Sequence, residues 1–194
     1  MQNDFCEGGS LGVTGSLEII PLINRLRDKF SIVILSQDWH KSHHISFVDN
    51  HEGKEVFSKH DIQETGKSQV LWPTHAVEGT FGAEFHKDLK VLPSDIVVRK
   101  GLNHLYDSYS AFGCKNDRTN LEEITRNLNI DKIYTCGLAY DYCVGNTALY
   151  AAKIGLEVYM VSDCTKPVAE GTKEEMTKKL QQSGVKFINS YEIE

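Results

Sequence analysis

Apolar residues along this chain alternate between two spacings. Ser31–Ser36 is an unbroken apolar run, Ser-Ile-Val-Ile-Leu-Ser, of the kind that forms a strand buried on both faces. Before it, Ile19, Ile20, Ile23 and Leu26 recur at helical spacing within Leu17–Lys29, with Ser16 as the capping residue and Pro21 in the early part. The same alternation continues downstream. Ile96–Lys100, Ile130–Tyr134, Leu156–Val161 and Val185–Ile188 read as strands. Helices are predicted from Asn120, as cap, to Leu128, over Val144–Gly155, and over Thr172–Ser183 before Gly184. Strands alternating with helices predict an α/β fold: a doubly wound, mostly parallel sheet with helices on both faces, in one domain spanning 1–194.

Two stretches do not fit that rhythm. Gln37–Gly82 shows little periodicity but is rich in His, Asp, Gly and Trp, and reads as a long functional loop. The chain also opens with a glycine-containing loop and a helix, where such sheets open with a strand. The first strand of the sheet is therefore not found in the sequence.

Composition narrows the class. The 194 residues suffice for one substantial core, and the formal net charge of −6 argues against a nucleic-acid partner or an anionic membrane surface. No apolar run is long enough to span a bilayer, and no signal-like segment begins the chain. The five cysteines, Cys6, Cys114, Cys136, Cys143 and Cys164, are odd in number and scattered, which suggests a reducing, cytoplasmic setting.

Three clusters carry candidate chemistry. Cys143 falls where a predicted strand turns into a helix, so first-turn N–H groups and the helix dipole favour its thiolate as a nucleophile. A buried, inert thiol is the alternative. Asp38 and His40 follow the strand at Ser31–Ser36, and two residues apart in an extended segment they can point the same way. Carboxylate plus imidazole suits Zn²⁺, Mn²⁺ or Fe²⁺, with a third ligand drawn from His43, His44, His51, His60, His75 or His86; a capped turn and a solvated His are the alternative. Lys100 ends the strand Ile96–Lys100 and would face the ligand crevice, where it could lower the Cys143 pKa and hold an oxyanion. Phe5, Trp72, Tyr106, Tyr109 and Phe112 could wall a flat aromatic ligand, although Phe112 reads better as core.

These residues lie in recognisable blocks: Asp38-Trp39-His40 with His44-Ile45-Ser46-Phe47, Leu71-Trp72-Pro73-Thr74-His75-Ala76-Val77, Arg99-Lys100-Gly101, Tyr109-Ser110-Ala111-Phe112, and Gly137-Leu138-Ala139-Tyr140-Asp141-Tyr142-Cys143-Val144. Together they resemble the nicotinamidases of the isochorismatase-like superfamily over nearly the whole chain. The resemblance implies a cysteine amidohydrolase converting nicotinamide to nicotinate and ammonia through a thioester, in NAD salvage. It implies Cys143 as nucleophile and Lys100 as its triad partner, with Ala139 and Cys143 N–H groups as the oxyanion hole. Asp38, His40 and His75 become ligands of one divalent transition metal, zinc first and Mn or Fe next, with His44 an additional ligand in some members. Phe5, Trp72 and Tyr109 match substrate-binding aromatics. A cis peptide is implied between Leu138 and Ala139. Nicotinamide is the implied partner, and a homo-oligomer is left open.

The family pattern Asp-x-Gln-x-Asp-Phe is met here only from Met1 onward, so the general-base aspartate is absent and Asp4 matches the second, non-catalytic one. The expectation is that Met1 is an internal methionine of a longer chain, or that another segment fills the gap in the sheet. Two alternatives stand beside the amidase reading: a related cysteine hydrolase acting on a carbamoyl or ureido substrate, and a catalytically impaired protein that binds metal and nicotinamide.

Overall fold

The structure, a computed structural model, describes residues 1–63 and 66–194. In chain order it contains α1 (Ser16–Leu26), β1 (Ile34–Asp38), β2 (Lys59–Ile62), β3 (Lys67–Val70), β4 (Ile96–Lys100), β5 (Gly113–Cys114), β6 (Asp117–Arg118), α2 (Leu121–Asn127), β7 (Lys132–Leu138), α3 (Gly145–Lys153), β8 (Glu157–Lys166), α4 (Glu170–Gln182) and β9 (Lys186–Ile188). β1 pairs with β4 in parallel, and β7, β8 and β9 form a second parallel set. Among the described residues no strand pairing joins β1 to β7.

Helices cover both faces, as the alternation requires. On one face Val144, from the turn before α3, joins Ala148 and Ala151 of α3 and Met176 and Leu180 of α4 over Val98, Val158 and Met160. On the other, the end of α1 packs Leu26 onto Val161, Cys164 and Ile193. Leu180 and Met160 are fully buried, and each such side chain contributes ~1.5–3 kcal/mol relative to exposure. Phe112 belongs to this core and stacks on Tyr150, as the sequence suggested.

Several boundaries differ from the sequence reading. β1 runs four residues beyond Ile34, so Asp38 is its last residue rather than a loop residue. Ser16 does not cap α1. Gly15 takes the cap position, and the buried Ser16 hydroxyl instead accepts the Glu7 N–H at 2.9 Å. Asn120 precedes α2 but makes no side-chain capping bond. The region 37–82 is not wholly irregular, because β2 and β3 form an antiparallel hairpin within it. β7 continues past Tyr134 to Leu138, with its register against β8 shifting between Thr135 and Gly137. The Leu138–Ala139 peptide is cis, as the resemblance implied.

Parallel pairing ends β1 and β4 side by side, and the Lys100–Cys143 contact brings the turn after β7 to the same place. That is where open α/β sheets bind ligands.

Candidate active site

Asp38 and Lys100 are register partners at the ends of β1 and β4, so the strand pairing itself sets them side by side. The Lys100 ammonium lies 2.9 Å from Asp38 Oδ1, donates to the Ser108 carbonyl at 2.8 Å and reaches the Cys143 sulfur at 3.4 Å. Its three donors are thus all engaged. Cys143 sits in a π-helical turn, Tyr140–Val144, that leads from β7 into α3. Among the described residues, Lys100 is the hydrogen-bond partner of its sulfur, and no carboxylate touches the sulfur directly.

Electrostatics here run against the expectation of an activated thiolate. Burial pushes the Cys143 thiol up to about 12, and the Lys100 charge pulls it back only in part. Burial alone would lower Lys100, but the charges of Asp38 and Cys143 outweigh it and hold the ammonium above its usual range. Asp38 is likewise buried, which would raise it, yet Lys100 and His40 hold it well below the usual carboxylate range. The resting pair is therefore a neutral thiol beside an ammonium, with a carboxylate on the ammonium's far side.

Asp38 also belongs to a second cluster. Donor atoms of Asp38, His40 and His75 all lie within 4.8 Å of one another, and all three residues are buried. His40 Nδ1 donates to the Gly101 carbonyl at 2.9 Å and His75 Nδ1 donates to the Pro73 carbonyl at 2.6 Å. Since a carbonyl only accepts, each Nδ1 carries a proton and Nε2 is the nitrogen left to face a ligand; that of His40 lies 3.4 Å from Asp38 Oδ2. Backbone carbonyls fixing the tautomer of ligating histidines are the usual support of a metal centre. Burial, then the neighbouring His40, lowers His75 to about 4, which keeps its ring neutral. A buried carboxylate with two pre-oriented imidazoles fits a divalent transition ion.

Gly101 makes this packing possible. Its φ is +67°, and a Cβ there would stand 2.2 Å from His40 Cε1. The His44 ring is tilted against His40, with centroids 4.4 Å apart, but its Nε2 is buried without a partner among the described residues and is not one of the three converging donors. Burial lowers His44 to about 3. Of the other candidates, His43 pairs with His104, His51 with His60, and His86 lies by Asp88, all outside the cluster.

Beside Cys143 and the cluster opens a narrow cavity. Phe5, Trp72 and Tyr109 line it as expected, together with Asp38, His75 and Ala139, the last beside Cys143. Tyr106 is not part of its wall. Tyr142 and Asp107 line it and escaped the sequence reading. Tyr142 stands perpendicular to Trp72 with centroids 4.8 Å apart, and the Trp72 indole N–H donates to the Tyr109 hydroxyl at 3.1 Å. Burial raises the Tyr109 phenol, and the nearby Asp107 charge adds to it. Asp107 accepts from Gln69 on β3 at 2.6 Å, tying the β2–β3 hairpin to the cavity. The signal for Tyr142 was its place in the turn before Cys143; for Asp107 it was membership of the polar loop from Tyr106 to Phe112.

The arrangement joins a buried thiol beside an ammonium, three side chains that could hold a metal ion and an aromatic slot. The family model for the isochorismatase domain matches residues 1–192. The chain is 40% identical to a nicotinamidase of Acinetobacter baylyi over 196 aligned residues, covering 100% of this chain and 91% of that one. Its fold superimposes with a TM-score of 0.93 on an Acinetobacter baumannii nicotinamidase and pyrazinamidase, at 40% identity, covering 100% of this chain and 94% of that one. A zinc complex of the Pyrococcus horikoshii pyrazinamidase matches with a TM-score of 0.79 at 30% identity, covering 97% of this chain and 94% of that one.

Proposed function

The chain belongs to the isochorismatase family, and on that premise we propose that it hydrolyses nicotinamide to nicotinate and ammonia, the reaction of a nicotinamidase. The observation that carries this reading is the Cys143–Lys100–Asp38 chain of contacts at one end of a cavity whose other walls are Phe5, Trp72, Tyr109 and Tyr142. A pyridine ring needs flat apolar walls, and its carboxamide needs a nucleophile at one end. The nicotinamidase and pyrazinamidase relatives favour such a ring carboxamide over a carbamoyl or ureido group.

Asp38, His40 and His75 are the residues that would hold a divalent metal, with zinc the first choice given the zinc-bound relative. When bound, such an ion supplies a Lewis-acidic seat for the pyridine nitrogen. The aromatic side chains hold the ring, which places the carboxamide carbon near the sulfur and removes much of the entropy of encounter.

Cys143 then attacks the carboxamide carbon. The S–C bond forms, and the oxyanion is received by N–H groups of the turn, those of Ala139 and Cys143. The C–N bond breaks, and the thiol's proton leaves with the departing ammonia. Water opens the thioester, giving nicotinate and returning a proton to sulfur. The neutral resting thiol makes deprotonation part of the reaction rather than a state already reached. The positive charge of Lys100 stabilises the thiolate and the oxyanion, while Asp38 is the carboxylate next in line to the reacting atoms through Lys100. The chain's free cysteines agree with a reducing, intracellular setting.

The test is ammonia release from nicotinamide by the purified, zinc-loaded chain. Turnover that vanishes in Cys143→Ala supports the reading. Tight nicotinamide binding by the loaded protein without any ammonia release would reject it and leave the catalytically impaired binder.

A further inference from the structure

Gln2 is almost fully buried, and its side-chain amide reaches across to the end of β1. Gln2 Nε2 donates to the Asp38 carbonyl at 2.8 Å and to the Ala83 carbonyl at 2.9 Å. Gln2 Oε1 accepts the Asp38 N–H at 2.8 Å. One side chain therefore satisfies both main-chain groups of Asp38, as a neighbouring strand would. Two residues on, Asp4 Oδ2 accepts the Ala76 N–H at 2.8 Å. Ala76 follows His75 and holds a positive φ of 46°, a conformation a non-glycine residue keeps only under restraint. Phe5, next along, lines the cavity and sets its ring edge-on to His75 at 5.3 Å.

We propose that Gln2 and Asp4 are positioning residues for the metal centre: Gln2 fixes the backbone of Asp38 and Asp4 fixes the backbone beside His75. Neither side chain is one of the three donors, and neither touches the catalytic sulfur. Their role follows from geometry. Asp38 sits at the end of β1, where its carboxylate must serve both Lys100 and the ion. A free strand end would let that carboxylate wander; a two-point clamp on its own N–H and C=O does not. His75 needs the same restraint on the other side, because it comes from a loop rather than a strand. Supporting groups of this sort typically change metal affinity 10–100-fold when removed.

The inference rests on the metal reading under the proposed function, and its test separates the two. Zinc affinity would be measured by competition with a chromophoric chelator on the parent chain and on Gln2→Ala, Gln2→Glu, Asp4→Ala and Asp4→Asn. Thermal stability of each metal-free protein would be measured in parallel. The expected result is zinc affinity about 10–100-fold weaker in Gln2→Ala and Asp4→Ala. Asp4→Asn, which keeps an oxygen to accept the Ala76 N–H, should regain most of the loss. Gln2→Glu, which keeps the acceptor but not the donor, should fall in between. Variants that lose stability while binding zinc as tightly as the parent would overturn the proposal and make both residues merely structural. Asp4→Asn as weak as Asp4→Ala would overturn it for Asp4. A parent chain that binds no zinc, cobalt or manganese would overturn the metal reading and the proposal with it.

Discussion

The Lys100 ammonium stands 3.4 Å from the Cys143 sulfur, yet burial holds the thiol pKa above its ordinary value. Proximity to a cation is not enough when that cation is shared. Lys100 also faces Asp38 and the Ser108 carbonyl, so its field at the sulfur is partly spent, and burial of the thiol decides the balance.

The first prediction concerns this thiol. In the metal-free, substrate-free protein, Cys143 should react with iodoacetamide at pH 7 more slowly than a free cysteine, and its rate should climb only above about pH 9. Mass spectrometry of the alkylated peptide reads it. An apparent pKa below 8 would contradict the burial argument.

Stability should fall at alkaline pH for the same reason. Folding raises Cys136 to about 11 and Cys143 and Cys164 to about 12, from an ordinary value of 9.0. In each case burial is the main cause. The folded chain then holds protons that the unfolded chain releases. The stabilisation is fully present below pH 9 and is lost as pH rises toward 11 to 12. Denaturant midpoints across that range, for the parent and for Cys143→Ala, check the contribution of this one thiol.

Acid acts through the imidazoles. His75 is lowered to about 4 and His44 to about 3, from 6.5, chiefly by burial and then by His40. A depressed pKa means the unfolded chain binds more protons, so stability present above pH 6.5 is lost as pH falls toward 4 and 3. On the metal reading, protons also compete with the ion for the His75 ring. Zinc release from the folded chain, followed by a dye, should therefore set in as pH falls toward about 4, and removal of the ion by a chelator at pH 7 should abolish turnover.

Lys100→Met should leave Asp38 as a buried, unpaired carboxylate in the metal-free protein. Breaking one side of a buried pair costs ~3–5 kcal/mol. The double variant Lys100→Met with Asp38→Asn should recover part of that loss, because no charge remains stranded. Chemical denaturation of the four metal-free proteins provides the cycle, and additive losses would show that the two groups do not interact.

Tyr109→Phe keeps the ring and removes the hydroxyl that accepts the Trp72 indole N–H. Leaving that donor unsatisfied costs ~1–3 kcal/mol. The expected kinetic signature is a raised KM with a smaller change in kcat, since the ring wall positions substrate and takes no part in bond making. Steady-state ammonia release measures both constants.

Much of this site could be read from residue order because strand ends are where chemistry gathers in a parallel sheet. Lys100, Asp38 and Cys143 were each placed by finding a strand and looking at its carboxyl end. The pairing of Asp38 with Lys100 was not legible, since register belongs to two segments far apart in the chain. Nor was the β2–β3 hairpin: Lys59, His60 and Asp61 show no apolar alternation, and main-chain pairing together with the Gln69–Asp107 bond holds it. Ser16 departs from its expected role for a related reason. A hydroxyl at a helix start looks like a cap, and only the fold reveals that the Glu7 N–H reaches it first. The direction of the Cys143 shift was missed because burial depth is a property of the packed molecule, whereas the helix end and the nearby lysine are visible as letters.

The missing side chain at Gly101 reaches beyond local geometry. The space a methyl group would need is occupied by the His40 ring, whose Nδ1 is held by the same residue's carbonyl. Position 101 is thus closed to variation by contact as well as by backbone conformation. A library that randomises codon 101 and selects for growth on the released product should return glycine alone. On the metal reading proposed above, attempts to suit the site to another ion have to work from the His75 side, which Gly101 does not lock.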